Sequence, residues 1–518
     1  MGLERNAPVV MAYPSPYRVG MSSLGFQTLY RILNEEGPGA HRAFLPDEWE
    51  PATLAWPPAR RGVWSYEGQT PITRYPIVAI SVAYELEISG VIRLLEGAGI
   101  PLLARDRTRH DPIVVMGGPV TTTNPSLLLP FTDVLISGEA EETLPLAVAT
   151  ILDTPGRRAA VEAAGALPHS CVGEIDEGRF EPLPTMGRAP SDRLPAYSAI
   201  TTPNTELSDM FLVEPERGCS RRCTFCVMRG ASTGGMRILP KDRPLATVPE
   251  HAKKVGLVGA AVTDLPHLES LVADIVESGR GVGISSLRAD RLTTGFLDNL
   301  AKGGYRTITV ASDGISERMR EVLDRKITEQ DLLRAAALVG DRGFHRLKVY
   351  EMMGAPTETD EDADELVRFG LELAKLSRIT MTFSTFVAKR NTPLDGQPFV
   401  GIKTAEARLR RIRNGLKGRV DLRPQPPKWA WVEYVLSQRG PEVGYCAIEA
   451  VHAGGNFAAW KRAFRDLPAD NPRPLVYGDE ARRARRTGFA ATPRRAPGLV
   501  QLRPAGDAGD PAKGPAPR

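Results

Sequence analysis

Short apolar runs alternate with helical patterns along most of this 518-residue chain. After a strand pattern (9–13) and a helical pattern (26–36), the run IVAISVAY (77–84) is almost continuously apolar, as in a parallel strand buried on both faces. A helical pattern (88–99), a strand (112–119) and a strand–turn–helix pattern (133–152) follow. This alternation predicts a doubly wound parallel sheet. Its ligand site is expected in the loops that follow the strands, which are residues 14–25, 84–89, 117–125 and 137–141.

A second βα series begins near Phe211 and contains six strand candidates separated by helical patterns. They are residues 211–216, 256–263, 282–287, 306–311, 345–353 and 379–387. Six strands with helical crossovers predict a partial (β/α)6 barrel, with its chemistry at the carboxyl ends of the strands. We therefore divide the chain into a doubly wound, Rossmann-like domain (1–155), a connector (156–205), a barrel (206–420), a small Trp-rich C-terminal module (421–489) and a Pro-rich tail (490–518) that is predicted to be disordered.

Composition and charge exclude several classes of protein. No apolar run approaches the ~18 residues that cross a bilayer, and the first residues do not form a signal peptide. We therefore expect a cytoplasmic protein with no membrane partner. Residues 479–518 hold nine Lys/Arg and four Asp/Glu, so residues 1–478 sum to −1 and no nucleic-acid partner is expected.

Three of the five cysteines fall within eight residues, with the spacing Cys219-x3-Cys223-x2-Cys226. Three thiols this close indicate a metal site in a reducing compartment rather than a disulfide framework. A structural zinc ion would need a fourth protein ligand, whereas a [4Fe–4S] cluster on three thiolates would keep one iron open, as a catalytic metal needs. The loop follows the first strand of the second series, at the expected active edge. Cys171 and Cys446 have no partner at ligand spacing and are predicted to be small buried hydrophobes.

This spacing, with Phe225 just before the last cysteine, resembles the signature of the radical S-adenosylmethionine (SAM) superfamily. The resemblance implies that Cys219, Cys223 and Cys226 ligate a [4Fe–4S] cluster whose open iron is chelated by SAM. It further implies that an electron from the cluster cleaves SAM to methionine and a 5′-deoxyadenosyl radical. An electron donor such as a flavodoxin or ferredoxin would then be a partner. The substrate is unknown, and no catalytic residue is assigned.

Four later segments resemble the SAM-binding landmarks of that superfamily, in order along the chain. Gly259 and Ala260 stand where a Gly-Gly-Glu segment usually receives the methionine end of SAM. Ser286 and Arg288 match ribose and carboxylate contacts, and Asp313 replaces a longer Glu. Gly354, Pro356 and Glu358 match a Gly-x-Pro-x-Glu segment near adenine. Taken singly, each segment is also typical of turns and helix caps.

Residues 11–150 resemble the cobalamin-binding-type domains that are fused to radical SAM cores, chiefly a largely uncharacterised group. The resemblance rests on motifs such as Tyr17-x-x-Gly20-Met21, Ala83-Tyr84-Glu85-Leu86-Glu87, Gly117-Gly118-Pro119 and Gly138-Glu139-x-Glu141. Cobalamin domains often supply a His from the loop after the first strand, but here that loop is PSPYRVGMSSLG. Either cobalamin binds without a protein His, which would allow methyl transfer to an unactivated carbon, or the domain has lost the cofactor, which leaves hydrogen abstraction or rearrangement.

Two alternatives come from other classes of protein. A tRNA methylthiotransferase would bring three further cysteines in its N-terminal domain, and residues 1–170 contain none. A non-catalytic iron–sulfur or zinc protein, structural or redox-sensing, would hold a fully ligated metal that ignores SAM. The sequence therefore predicts a radical SAM enzyme of unknown substrate.

Overall fold

The computed structural model describes residues 7–46, 62–174, 180, 182–231 and 235–467. The tail predicted to be disordered, and the part of the C-terminal module beyond residue 467, lie outside these described residues. Within them, no helix combines the length and the apolar character that crossing a bilayer requires.

The first sheet has six strands in the order β2-β1-β3-β4-β5-β6, and the order reverses at β1. The first five are mutually parallel, and β6 is antiparallel to β5. The strands are β1 (Val9–Pro16), β2 (Ala40–Leu45), β3 (Ile77–Ser81), β4 (Ile113–Gly117), β5 (Val134–Ile136) and β6 (Ser170–Val172). The helices are α1 (Tyr17–Gly20), α2 (Leu24–Glu35), α3 (Ile88–Ala98), α4 (Thr143–Asp153) and α5 (Arg157–Gly165).

Both faces of this sheet are buried, which explains the near-continuous apolar run in β3. Val78 and Ile80 belong to one hydrophobic core, whereas Ile77 and Ala79 belong to the core on the opposite face. Because successive side chains of a strand point to opposite faces, a strand covered on both sides needs apolar residues at every position.

The second part of the chain forms two parallel sheets that one backbone bridge connects. β7, β10 and β11 form one sheet, β12 to β15 form the other, and Leu287 bridges to Val310 in parallel between them. The strands are β7 (Met210–Val213), β8 (Glu216–Arg217), β9 (Arg237–Ile238), β10 (Lys254–Leu257), β11 (Gly281–Ile284), β12 (Thr307–Ala311), β13 (Arg346–Met353), β14 (Ile379–Thr385) and β15 (Asp421–Pro424). β8 and β9 form a separate antiparallel pair.

Helices follow most of these strands and bury one face of the two sheets in a shared core. They are α6 (Met228–Ala231), α7 (Asp242–Leu245), α8 (Leu268–Glu277), α9 (Thr294–Lys302), α10 (Glu317–Val322), α11 (Glu329–Asp341), α12 (Asp360–Leu376) and α13 (Ile402–Leu416). A capping box starts α11 at Thr328 and α12 at Thr359, in each case with an Asp three residues later. The mixed α/β class with parallel sheets is thus confirmed.

Three C-terminal helices pack on the first sheet rather than forming a separate core. They are α14 (Pro427–Gln438), α15 (Glu442–His452) and α16 (Phe457–Ala463). Trp431 and Trp460 are buried in the same hydrophobic core as Val78 of β3. The Asn124 side-chain amide, in the loop after β4, donates to the carbonyls of Leu436 (2.6 Å) and Arg439 (2.8 Å) at the end of α14.

The structure adds four strands that the sequence patterns did not predict. β2 follows α2, β6 lies within the predicted connector, and β9 pairs with β8. β15 extends the second parallel sheet although its residues belong to the predicted C-terminal module. The predicted loop 14–25 is largely regular, because β1 runs to Pro16 and α1 begins at Tyr17.

Candidate active site

The three clustered cysteines lie on the loop between β8 and α6. Cys223 is buried, and Cys219 and Cys226 are half-buried. Burial raises the pKa of Cys226, and the nearby thiols of Cys223 and Cys219 raise it further, so the three side chains are close enough to interact. Within the described chain, however, no three Cys, His, Asp or Glu side chains converge as a metal site. The loop therefore brings the three thiols near one another, but they do not converge on one point as metal ligands would.

The donor set fits an iron–sulfur cluster better than a structural zinc ion. Zinc would need a fourth protein ligand, and the other two cysteines lie elsewhere. Cys171 is on β6 inside a hydrophobic core, and Cys446 is on α15, where it packs against the same core. Three thiolates on one loop are enough to hold a [4Fe–4S] cluster with one iron left open.

The cysteine loop is fixed to the segment after β10 and to the end of α10. Arg221, within the loop, donates to both carboxylate oxygens of Asp264 at 2.8 and 2.5 Å. Although burial opposes it, Arg221 lowers the pKa of Asp264 and keeps that carboxylate charged. On the other side, the Thr224 backbone N–H donates to the carbonyl of Leu323 at 3.0 Å.

Gly259 lies beside a buried carboxylate that sequence reasoning missed. Glu216 is fully buried and accepts a 2.8 Å hydrogen bond from the Ala261 backbone N–H on its Oε1. A Cβ at position 259 would lie 2.2 Å from that same oxygen, so any larger residue there would displace the carboxylate. Burial raises the pKa of Glu216 to about 7, and its Oε2 has no hydrogen-bond partner among the described groups. Ala260, next to Gly259, is exposed at the edge.

Ser286 and Arg288, at the end of β11, differ in solvent exposure. Ser286 is exposed at the carboxyl edge. Arg288 is buried, and it donates to Asp290 through two 3.0 Å hydrogen bonds and to the Lys326 carbonyl at 3.1 Å. Arg288 is therefore held by protein groups, whereas Ser286 faces outward.

Asp313, after β12, lies close to the cysteine loop. It adopts a left-handed backbone conformation (φ 62°) and forms a 2.7 Å ion pair with Arg325. Its charge raises the pKa of Cys226, a smaller effect than burial, which places the carboxyl near that thiol. Burial also raises the pKa of Asp313 itself, against the opposing effect of Arg325.

The segment after β13 closes on itself. Glu358 accepts hydrogen bonds from the Gly354 backbone N–H (2.6 Å) and from Arg408 (2.5 Å), and burial raises its pKa to about 7. Gly354 has φ 81°, and a Cβ there would lie 2.6 Å from Val400, while Pro356 is half-buried. Glu358 is thus held by its own turn and by Arg408 of α13. Strand order alone places the segment at the same edge as the cysteines.

The carboxyl edge of the first sheet contacts the cysteine loop directly. Arg217, two residues before Cys219, donates to Glu141 (2.6 Å) and Glu139 (3.2 Å) in the loop after β5. Glu139 also accepts from Arg237 at 2.6 Å. The motif Gly138-Glu139-x-Glu141 thus links the carboxyl edge of the first sheet to the cysteine loop, a role that its spacing alone does not reveal.

A second link joins the loop after β3 to the loop after β14. The ammonium of Lys389 donates to Glu85 (2.6 Å), to Glu433 of α14 (2.7 Å) and to the hydroxyl of Ser437 (3.0 Å). The carboxyl edges of both sheets therefore face one another.

The first sheet offers no histidine for the cobalt of cobalamin in the loop after β1. A small apolar cavity of about 40 Å³ lies at its carboxyl edge, lined among others by Leu29, Ser81, Gly117 and Leu144, and it has room for only a few waters. Gly118 has φ 107°, and a Cβ there would lie 2.6 Å from the Val82 carbonyl, so the turn itself requires glycine. These residues do not supply a cobalt ligand or a preformed corrin pocket.

Two family models match this chain, and the cysteine loop lies within the second match. Residues 25–166 match the family described as radical SAM proteins, N-terminal, and residues 213–370 match the radical SAM superfamily. The chain therefore belongs to the radical SAM superfamily and is a radical SAM enzyme.

Individual relatives are distant. The chain is 27% identical over 424 residues to the uncharacterized protein MJ0966 of Methanocaldococcus jannaschii, covering 79% of this chain and 83% of that protein. It is 25% identical over 290 residues to the uncharacterized methyltransferase PH0819 of Pyrococcus horikoshii, covering 51% of this chain and 59% of that protein.

Among solved structures, the cobalamin-dependent S-adenosylmethionine radical enzyme OxsB, with aqua-cobalamin and S-adenosylmethionine bound, matches with 15% identity and a TM-score of 0.47. The match covers 70% of this chain and 52% of that one, so the chain spans about half the length of OxsB.

Proposed function

We propose that Cys219, Cys223 and Cys226 bind a [4Fe–4S] cluster and that the protein reductively cleaves SAM. The observation that carries this proposal is the loop of three neighbouring thiols after the first strand of the matched domain, with the other two cysteines packed in a different part of the fold. When bound, such a cluster supplies one electron to SAM, whose sulfonium S–C bond breaks to give methionine and a 5′-deoxyadenosyl radical.

The residues around the loop would position SAM and place charged side chains beside it. Arg221 and Asp264 fix the loop to the end of β10, and Gly259 leaves the backbone there open to close approach. Exposed Ser286 can donate to a ribose hydroxyl, and Asp313 beside Cys226 can accept from an ammonium or hydroxyl group. We propose that β7 and β10 to β14 act as a partial barrel around this site.

Cobalamin is a second candidate cofactor, because the carboxyl edges of the two sheets meet at the Glu141–Arg217 contact. It would have to bind outside the small apolar cavity and without a histidine from the first loop. Methyl transfer would then be the reaction, with hydrogen abstraction or rearrangement as the alternative. Retention of hydroxocobalamin absorbance after gel filtration supports this candidate, and complete loss of the absorbance contradicts it.

The proposed cluster needs a one-electron donor, for which we propose a flavodoxin or ferredoxin. The five thiols suit the reducing cytoplasm as the site of action.

Product analysis tests the central proposal. Anaerobic protein with reconstituted cluster, dithionite and SAM should release 5′-deoxyadenosine and methionine. Cys226→Ala should abolish release, whereas the matched Cys446→Ala should retain it. A wild-type protein with full iron and sulfide content that releases no 5′-deoxyadenosine would contradict the proposal and favour a structural or redox-sensing metal site.

A further inference from the structure

One face of the second parallel sheet is polar, although parallel sheets normally bury both faces under apolar side chains. Parallel register places Lys348 beside Thr309 and Thr380, Tyr350 beside Thr382, and Met352 beside Ser384. We call the set Thr309, Lys348, Tyr350, Thr382, Ser384 and Arg423 the polar sheet face.

The opposite face of the same strands lies under the helices, and on β13 it includes one buried carboxyl group, that of Glu351. Leu347 and Val349 of β13 are fully buried under the helices. In contrast, Lys348 is half-buried and Tyr350 is 36% exposed, although β13 is an internal strand of the sheet. An internal parallel strand with an accessible, hydrogen-bonding face is suited to lining a ligand cavity.

On this side of β12 to β15, the strands carry three cationic side chains, Arg346, Lys348 and Arg423, and one carboxylate, Asp421. Asp421 is shared by Arg346 (3.3 Å) and Arg423 (3.1 Å), so one carboxylate serves two guanidinium groups. The ammonium of Lys348 lies 3.3 Å from the Tyr350 hydroxyl, and no carboxylate of the described chain lies within 4.0 Å of it. Lys348 and Tyr350 thus form an adjacent ammonium and phenol without an anionic partner.

We propose that the polar sheet face binds the substrate and that the substrate carries a carboxylate or phosphate bound by Lys348 and Tyr350. This inference rests on the proposed function, because it assigns the substrate class of the same enzyme. An ammonium and a hydroxyl donor together favour an anionic oxygen acceptor through charge-assisted hydrogen bonds.

The position of Lys348 also constrains the shape of the substrate. Lys348 precedes the end of β13 by five residues, which is about 16 Å of extended strand. The cysteine loop lies at the carboxyl edge of the strands. A substrate anchored at Lys348 would therefore be elongated, with its reacting carbon distant from the anionic group.

Ligand binding to the full chain, without a cluster, tests this inference separately from SAM cleavage. Two matched pairs serve as probes in calorimetry and thermal unfolding: glutarate against glutaramide, and glycerol 3-phosphate against glycerol. We expect at least one anion to bind and to raise the midpoint of unfolding, while its neutral counterpart does not. The anion that binds more tightly, glutarate or glycerol 3-phosphate, indicates whether the substrate carries a carboxylate or a phosphate.

Variants locate the binding. Lys348→Met should weaken binding of the anion about tenfold or more, and Tyr350→Phe should weaken it less. Lys403→Met, an exposed lysine on α13, should leave it unchanged and serves as the matched control. Equal effects of the charged and neutral probes, or unchanged affinity in a folded Lys348→Met protein, would overturn the inference even if SAM cleavage is observed.

Discussion

Gly259 and Glu216 form a steric pair that a double-mutant cycle can test. In Gly259→Ala, the new Cβ would lie 2.2 Å from Glu216 Oε1 and 2.9 Å from its Cδ. The carboxylate must therefore move by about 1 Å, since real Cβ atoms essentially never approach other atoms closer than 3.0 Å. That movement breaks the 2.8 Å hydrogen bond from the Ala261 N–H.

The expected cost has two parts. Overpacking costs about 1–3 kcal/mol. A buried donor left without its acceptor costs about 1–3 kcal/mol. Gly259→Ala should therefore lower the free energy of unfolding by about 2–6 kcal/mol, measured by urea denaturation of the anaerobic protein.

The same substitution in a Glu216→Ala background should cost at most about 1 kcal/mol, because the clashing oxygen is gone. Gly25→Ala is the control, because nothing lies within 4 Å of a Cβ at that position. Equal costs of Gly259→Ala in the two backgrounds would refute the steric explanation for this glycine.

Three further predictions concern charge and the remaining cysteines. Burial raises the pKa of Glu351 to about 8, so the folded state retains a proton that the unfolded state releases, and stability falls as pH rises from about 4.5 to 8. Between pH 5.5 and 7.5 the free energy of unfolding of the wild type, measured by urea denaturation, should fall by about 3 kcal/mol more than that of Glu351→Gln. Equal decreases in the two proteins would contradict this. Arg217→Met should lower the free energy of unfolding by about 3–5 kcal/mol, because Glu141 loses its partner. A thermal unfolding midpoint no lower than that of Arg222→Met, the control at an exposed arginine, would contradict this. Cys171→Ala should keep the iron content of the reconstituted protein, so iron loss in that variant would place a fourth ligand on β6.

The sequence predicted the strands that carry buried apolar residues, and each of the six strand candidates after residue 205 overlaps a strand, although residues 258–263 lie beyond the end of β10. It missed β2 because its polar residues are buried by partners distant in the chain. Arg42 is paired there with Glu67 at 2.6 Å, and His41 lies 2.6 Å from the Tyr75 hydroxyl. β15 was missed because its alternating charged residues resemble a loop.

The site was predictable where chemistry depends on local spacing and not where it depends on tertiary contact. The three cysteines were found from eight residues of sequence. In contrast, Glu216 and Arg217 precede the cysteines in the same motif, yet their roles depend on Gly259 and Glu141, which other strands supply. The predicted contacts of Arg288 and Glu358 with SAM stay predictions, because in this structure both side chains bind protein groups.

The most direct test of the central claim is the electron paramagnetic resonance spectrum of the reconstituted, reduced protein, recorded with and without SAM. Iron and sulfide analysis of the same sample establishes that the cluster is present. We expect a [4Fe–4S]⁺ signal whose g values shift when SAM is added, because SAM occupies an iron that the three cysteines leave open. An intact cluster whose signal SAM does not change would contradict the account.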